Sequence, residues 1–205
     1  MKILYEDENY LGFLKPAGMP TTYGDTAECF VGQVKETHPE LFNFTGFKED
    51  EGGLLYRLDN ETSGLLLFAK NKEAFDEFVG DDSLQKIYLA EVFVQGELKE
   101  SGEIFDPIVH KSSKKMAVLK PGKKVTHRGK PITCTTHYEH LGGDFYECTI
   151  TKGARHQIRA HLASMDAPII GDTLYGGPED ATLHLYCTGI KSDFLNIDVR
   201  DAIVG

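Results

Sequence analysis

Residues 54–70, LLYRLDNETSGLLLFAK, set a polar, turn-forming DNETSG between two apolar runs, so Asp59 is expected in a loop at the end of sheet strands. A carboxylate held there can attack as a nucleophile or take up a proton, and an Asp-Asn pair serves a plain turn equally well. Farther along, RHQIRAHLASM at 155–165 has Ile158, Leu162 and Met165 at helical spacing, with Arg155 and Arg159 one turn apart on the flank of that stripe. Like charges at i and i+4 disfavour an isolated helix by roughly 0.2–0.5 kcal/mol, so an anion, carboxylate or phosphate, is expected beside them. The run HKSSKKMAVLKPGKKVTHRGK, residues 110–130, carries Lys111, Lys114, Lys115, Lys120, Lys123, Lys124, Arg128 and Lys130 and no acidic residue. Such a run either neutralises phosphates, with affinity that falls steeply with salt, or is a solvated loop.

Other chemistries fit less well. His137 and His140 lie on an expected strand at an odd separation, which points the rings to opposite faces, and His156 and His161 sit at i and i+5 of an expected helix. Neither pair chelates, and no metal site is expected. GDTLYGG, 171–177, lacks a phosphate-loop lysine and the dinucleotide pattern and reads as a structural turn. Cys29, Cys134, Cys148 and Cys187 form no Cys-x-x-Cys pair, which argues against zinc or a disulfide framework and fits a reducing compartment.

The elements that must position these groups follow from pattern. Residues 1–14 read as a hairpin about Asp-Glu-Asn, followed by the breaker KPAG at 15–18. Asp25 with Glu28 resembles a capping box for a helix to about residue 37, and 38–53 reads as irregular. Asn71 caps a short helix with Phe75, Phe78 and Val79, and KIYLAEVFV at 86–94 is a strand. Further strands are expected at 104–110, 116–119, 132–139 and 145–151, and Asp166 with Pro168 stops the helix at 155–165. The irregular alternation indicates an α+β fold rather than a doubly wound α/β one.

The 205 residues, 40% apolar and 26% charged, suit one domain spanning 1–205 whose core needs no disulfide or metal. The net charge of −10 argues against nucleic acid until it is divided: residues 1–106 carry −13, 107–161 carry +8 and 162–205 carry −5. A polyanion can dock on the middle third. No apolar run approaches the roughly 18 residues of a membrane span, so a soluble, cytoplasmic protein with no membrane partner is expected.

YRLDNETSG, KIYLAEV and GARHQIRAHL resemble the RluA family of pseudouridine synthases. The likeness extends in order through KPAG at 15–18, RLDNETSGLLLFAK at 57–70, GKPITCT at 129–135, PIIGDTLYGG at 168–177 and LHL at 183–185. It implies one catalytic domain with a mostly antiparallel mixed sheet, flanking helices and a central cleft; the separate N-terminal RNA-binding module of the S4 type that many relatives carry is not expected here. It also implies isomerisation of uridines in ribosomal or transfer RNA, a reaction with no net redox change and no donated group that needs no cofactor; a monomer is expected. Asp59 matches the catalytic aspartate, Tyr88 the tyrosine that packs on the target uracil and Arg159 the arginine paired with the carboxylate. Arg57 matches the residue that replaces the displaced base, Leu183 the apolar wall of the base pocket, and Thr62 a substrate-binding position within the aspartate motif. Lys152 and Arg155 are candidates for phosphate contacts. Tyr56 stands where many members have His, Ala154 where a basic residue is common, and Ala167 where His is frequent. Taken alone, Asp59 reads as a turn residue, Tyr88 as a core aromatic and the arginines as ion-pair residues. The rival reading is a noncatalytic RNA-binding protein that keeps the fold.

Overall fold

The computed structural model describes residues 1–23, 28–96, 98–122 and 124–204, which fall into two compact units. The first begins with β1 (Ile3–Glu6) and β2 (Tyr10–Lys15), an antiparallel hairpin. Its turn is made by Asp7, whose Oδ1 accepts from the N–H groups of Asn9 at 2.8 Å and Tyr10 at 2.6 Å. Helix α1 (Phe30–Thr37) buries Phe30, Val31 and Val34. It starts later than the capping pattern predicts: Asp25 lies outside the described residues, and the cap is Cys29, whose Sγ accepts from Gly32 N–H at 3.3 Å. The irregular stretch 38–53 holds one 3-10 turn, Pro39–Phe42. Then come β3 (Ser63–Ala69), antiparallel to β2 from Tyr10↔Ala69 to Lys15↔Gly64, and α2 (Lys72–Gly80). Asn71 caps α2 as expected, Oδ1 to Ala74 N–H at 2.8 Å. Residues 65–69 are buried without alternation, as a strand covered on both faces requires.

The second unit, Gln85–Leu185, contains β4 (Gln85–Glu91), β5 (Ser101–Ile104), β6 (Ile108–His110), β7 (Met116–Val118), β8 (Arg128–Ile132), β9 (Thr136–Gly142), β10 (Phe145–Ile150) and α3 (Gln157–Ser164). Its strands form an antiparallel array β4-β10-β9-β5 and a separate three-stranded sheet β7-β6-β8. The expected strands 104–110 and 132–139 are each broken, because β5 pairs with β9 whereas β6 and β8 pair with each other. Pro107, which cannot donate to a ladder, stands at the first break. A small apolar core of Ile108, Met116, Cys134 and Ala160 packs the three-stranded sheet on α3.

Helix α3 begins at Gln157, not Arg155, because His156 adopts a left-handed conformation, φ 52° and ψ 23°. Arg155 therefore precedes the helix, and the i, i+4 crowding with Arg159 does not arise. The helix ends as expected before Asp166, which takes the left-handed position usually given to glycine. Ala167 N–H donates to Leu162 O and Asp166 N–H to Ala163 O, closing the exposed carbonyls of the last turn.

Tyr186 onward belongs to the first unit, with β11 (Leu185–Lys191), β12 (Asn196–Asp198) and α4 (Arg200–Val204). There β11 runs parallel to β3, Tyr186↔Ser63 and Cys187↔Gly64, and antiparallel to β12. Gly64 has φ +117°, and a Cβ on it would lie 2.3 Å from the Cys187 carbonyl oxygen, so only glycine fits this approach. The result is the α+β class read from the sequence: a mostly antiparallel mixed set of strands with few helices. Among the described residues, no helix is long and apolar enough to cross a membrane.

Candidate active site

The eight residues singled out by sequence divide between the units, Arg57, Asp59 and Thr62 in the first and Tyr88, Lys152, Arg155, Arg159 and Leu183 in the second.

In the first unit Asp59 lies in the loop before β3, half exposed, between buried Leu58 and exposed Asn60. Its backbone is gripped on both sides. Thr21 Oγ1 donates to the Leu58 carbonyl at 2.7 Å and accepts Leu58 N–H at 3.2 Å. The Asn60 carbonyl accepts from Gly18 N–H at 2.8 Å and from Lys15 Nζ at 3.1 Å. Thr62, buried, closes the turn by donating its N–H to the Asp59 carbonyl at 3.1 Å. Gly18 has φ +79°, which a residue with a Cβ rarely adopts, so the KPAG loop can present its N–H here only with glycine.

Lys15 is the centre of this grip. It is fully buried, and its ammonium also donates to the carbonyls of Pro16 at 2.8 Å and Met19 at 2.7 Å. Burial opposes the charge while the carboxylates of Glu61 and Asp59 favour it; burial prevails, and the Lys15 pKa falls to about 8. Sequence reasoning noted KPAG as a breaker and as part of the resemblance, yet missed that its lysine and Thr21 hold the aspartate loop. Arg57 is exposed between buried Tyr56 and Leu58. Tyr56 is a core residue: its hydroxyl donates to the Leu65 carbonyl at 2.9 Å and its ring stacks near Phe78 at a 17° interplanar angle.

In the second unit the anion expected beside the arginines is a carboxylate. Arg159, 3% exposed, donates from Nε to Asp172 Oδ2 and from Nη2 to Asp172 Oδ1, both at 2.8 Å, and Asp172 is 1% exposed. The Tyr175 ring lies under the guanidinium, 5.3 Å from centroid to Cζ. Asp172 and Tyr175 both come from GDTLYGG, which does form a turn, a 3-10 element at Thr173–Tyr175. A Gly-Asp pair in a turn-like string carries no local signal of a buried partner.

The helix that bears Arg159 is itself fastened. Gln157 Nε2 donates to the Thr135 carbonyl at 2.9 Å and Thr136 Oγ1 at 3.1 Å, and its Oε1 accepts Ala154 N–H at 3.0 Å. His161 lies 2.9 Å from Thr136 Oγ1 through Nδ1 and 3.0 Å from the Asp106 carbonyl through Nε2. Burial lowers its pKa, so the ring is neutral near pH 7, with Nε2–H as the donor to Asp106.

Tyr88 is buried on β4, opposite Cys148 of β10. Leu183 is buried beside His184, whose Nδ1 lies 2.6 Å from Glu91 Oε2 and whose Nε2 lies 3.3 Å from Asp180 Oδ1. Burial disfavours charge on that ring, but the bonds to Glu91 and Asp180 outweigh it and raise the His184 pKa. Lys152 and Arg155 are exposed, and Arg155 Nη1 donates to the Ser113 carbonyl at 2.8 Å. Of the basic run, Lys111, Lys114, Lys124, Arg128 and Lys130 are exposed on or beside the three-stranded sheet; Lys123 lies outside the described residues.

Comparison with known proteins bears on this arrangement. The family model for RNA pseudouridylate synthase matches residues 9–164. Ribosomal large subunit pseudouridine synthase D of Nitrosomonas europaea is 31% identical over 197 residues, 89% of this chain and 52% of that protein. Its counterpart in Neisseria meningitidis is 32% identical over 190 residues, 87% of this chain and 46% of that protein. The chain thus spans about half the length of these curated relatives. Among solved structures, Human RNA Pseudouridylate Synthase Domain Containing 4 shares the fold, with a TM-score of 0.72, 24% identity and coverage of 96% of this chain and 87% of that one. The family match covers the Asp59 loop, β4 with Tyr88 and the helix with Arg159, and the chain belongs to the RNA pseudouridylate synthase family.

Proposed function

We propose that this protein isomerises uridine in RNA to pseudouridine, with Asp59 as the catalytic carboxylate. The observation that carries the reading is a half-exposed aspartate on a loop whose backbone is pinned from both sides, in a chain of this family. The reaction breaks the N1 glycosidic bond, turns the uracil and rejoins it through C5, with no net redox change and no donated group. The ionised carboxylate either attacks the substrate or takes a proton from the ribose.

The uracil must first leave its stack, at a cost of roughly a few kcal/mol, and packing on Tyr88 offsets part of it. Arg57, exposed two residues before Asp59, fills the vacated place with its flat guanidinium. Leu183 supplies the apolar wall, Thr62 the turn that presents Asp59, and Arg159 the donors that orient the carboxylate. Lys152, Arg155 and the exposed cations of the three-stranded sheet bind phosphates. That the Nitrosomonas and Neisseria relatives are ribosomal large subunit pseudouridine synthases favours ribosomal over transfer RNA as the substrate. The chain acts as one catalytic domain and as a monomer, without cofactor or metal, in the reducing cytoplasm that its free cysteines suit.

The test is release of tritium from RNA labelled at uracil C5. The wild-type protein is expected to release it, and Asp59→Asn to bind RNA equally while slowing release at least ~10³-fold, as loss of a catalytic group does. Full activity in that variant overturns the assignment of Asp59. RNA binding by the wild-type protein without release identifies a noncatalytic binder instead. Replacing Lys114, Lys124, Arg128 and Lys130 together by Gln is expected to weaken RNA affinity and flatten its salt dependence by ~0.7 per lost phosphate contact on a log–log plot.

A further inference from the structure

A buried ion pair is weak evidence of a need for stability, since apolar residues of the same volume hold a core as well or better. The Arg159–Asp172 pair therefore calls for another reason. Two parallel bonds at 2.8 Å fix both the direction and the plane of the guanidinium, which a single charge contact does not. The Tyr175 ring packs under the same group at 5.3 Å, and Tyr175 is itself held. Its hydroxyl accepts Met116 N–H of β7 at 2.9 Å and lies 3.1 Å from His156 Nδ1, and Lys115 Nζ sits 4.9 Å over its ring. Arg159 is thus aimed by a carboxylate and a ring from one turn, GDTLYGG, and that turn is tied to the basic three-stranded sheet.

We infer that Asp172 is a positioning residue for Arg159 in pseudouridine formation, with Tyr175 as the second restraint. The inference rests on the reading that Arg159 serves the reaction. It changes how Arg159 works. With its charge already balanced by Asp172, it acts through where its donors point rather than through a net positive field.

A double-mutant cycle on single-turnover rates tests this, using an in vitro transcript of large-subunit ribosomal RNA labelled with tritium at uracil C5. Asp172→Asn is expected to slow conversion about 10- to 100-fold, as misaimed groups do, with RNA Kd within about twofold. Arg159→Lys, which keeps the charge and loses the fork, is expected to slow it at least as much, and the double variant no more than Arg159→Lys alone. A purely structural role leaves the two effects multiplicative; a lower melting temperature is expected under either role and does not separate them. Multiplicative losses, or an Asp172→Asn rate within twofold of wild type beside a slow Arg159→Lys, overturn the inference. A wild-type rate in Arg159→Lys overturns the reading beneath it instead. Should Asp172→Asn not fold, Tyr175→Leu, at a partly exposed position, removes the other restraint on the same guanidinium and carries the same expectations, including non-additivity with Arg159→Lys.

Discussion

The Asp59 loop and the Arg159 helix show two ways of holding a polar residue. The neighbours of Asp59 are held by backbone bonds: Thr21, Gly18 and Lys15 grip their carbonyls and N–H groups, and Asp59 itself is half-buried. Arg159 is held by its side chain, with two of its guanidinium nitrogens committed to one buried carboxylate. The difference follows from size and chemistry. Aspartate has a short side chain whose direction is set once the loop is set, whereas an arginine has a long, flexible stem, and only contacts at its tip can aim it.

The contrast leads to a ladder of stability losses. Asp172→Ala strands a buried guanidinium charge and is expected to cost about 3–5 kcal/mol in urea unfolding. A loss below about 1 kcal/mol would mean that water reaches the pair. Lys15→Met takes the ammonium from three carbonyls, of which only that of Asn60 keeps another donor, Gly18 N–H, and is expected to cost about 2–4 kcal/mol, less than Asp172→Ala because it also removes a charge that burial penalises. Thr21→Val removes both bonds to Leu58, about 1–3 kcal/mol, and its melting curve should fall between those of Lys15→Met and wild type.

Two pH effects sharpen the contrast further. Because the Lys15 pKa is depressed to about 8, the unfolded chain binds more protons than the folded one between about pH 8 and the ordinary lysine value. The Lys15 contribution to stability therefore rises with pH across that window, and the gap between wild type and Lys15→Met in urea midpoint should widen from pH 7.5 to 9.5. The His184 pKa is raised, so its bonds to Glu91 and Asp180 contribute fully below the ordinary histidine value and fade as pH rises through the folded one. The pair is partly exposed and worth about 0.2–1 kcal/mol, the smallest effect. His184→Gln should flatten the thermal midpoint against pH between 6 and 8 without moving the Lys15 window.

Much of the first unit was legible beforehand because its signals are local. The Asp7 turn, the Asn71 cap and the unbroken Leu65–Ala69 run each rest on residues within a few positions of one another. The start of α3 departs from the sequence pattern for a local reason of another kind: nothing in ARHQ announces that His156 takes a left-handed conformation. The strand breaks also depart from the sequence pattern, because choice of partner, not propensity, decides where a chain changes sheets.

By itself the sequence determined the α+β class, the apolar runs that become the core, and the motifs that single out Asp59, Tyr88 and Arg159. Tertiary structure alone decided that Lys15 reaches a carbonyl 45 residues away and that Arg159 closes on a carboxylate 13 residues on. Both depend on polar groups for which local propensity says only turn or surface. Their partners are chosen when the chain folds, because a buried charge must find a hydrogen-bonding counterpart wherever packing places one.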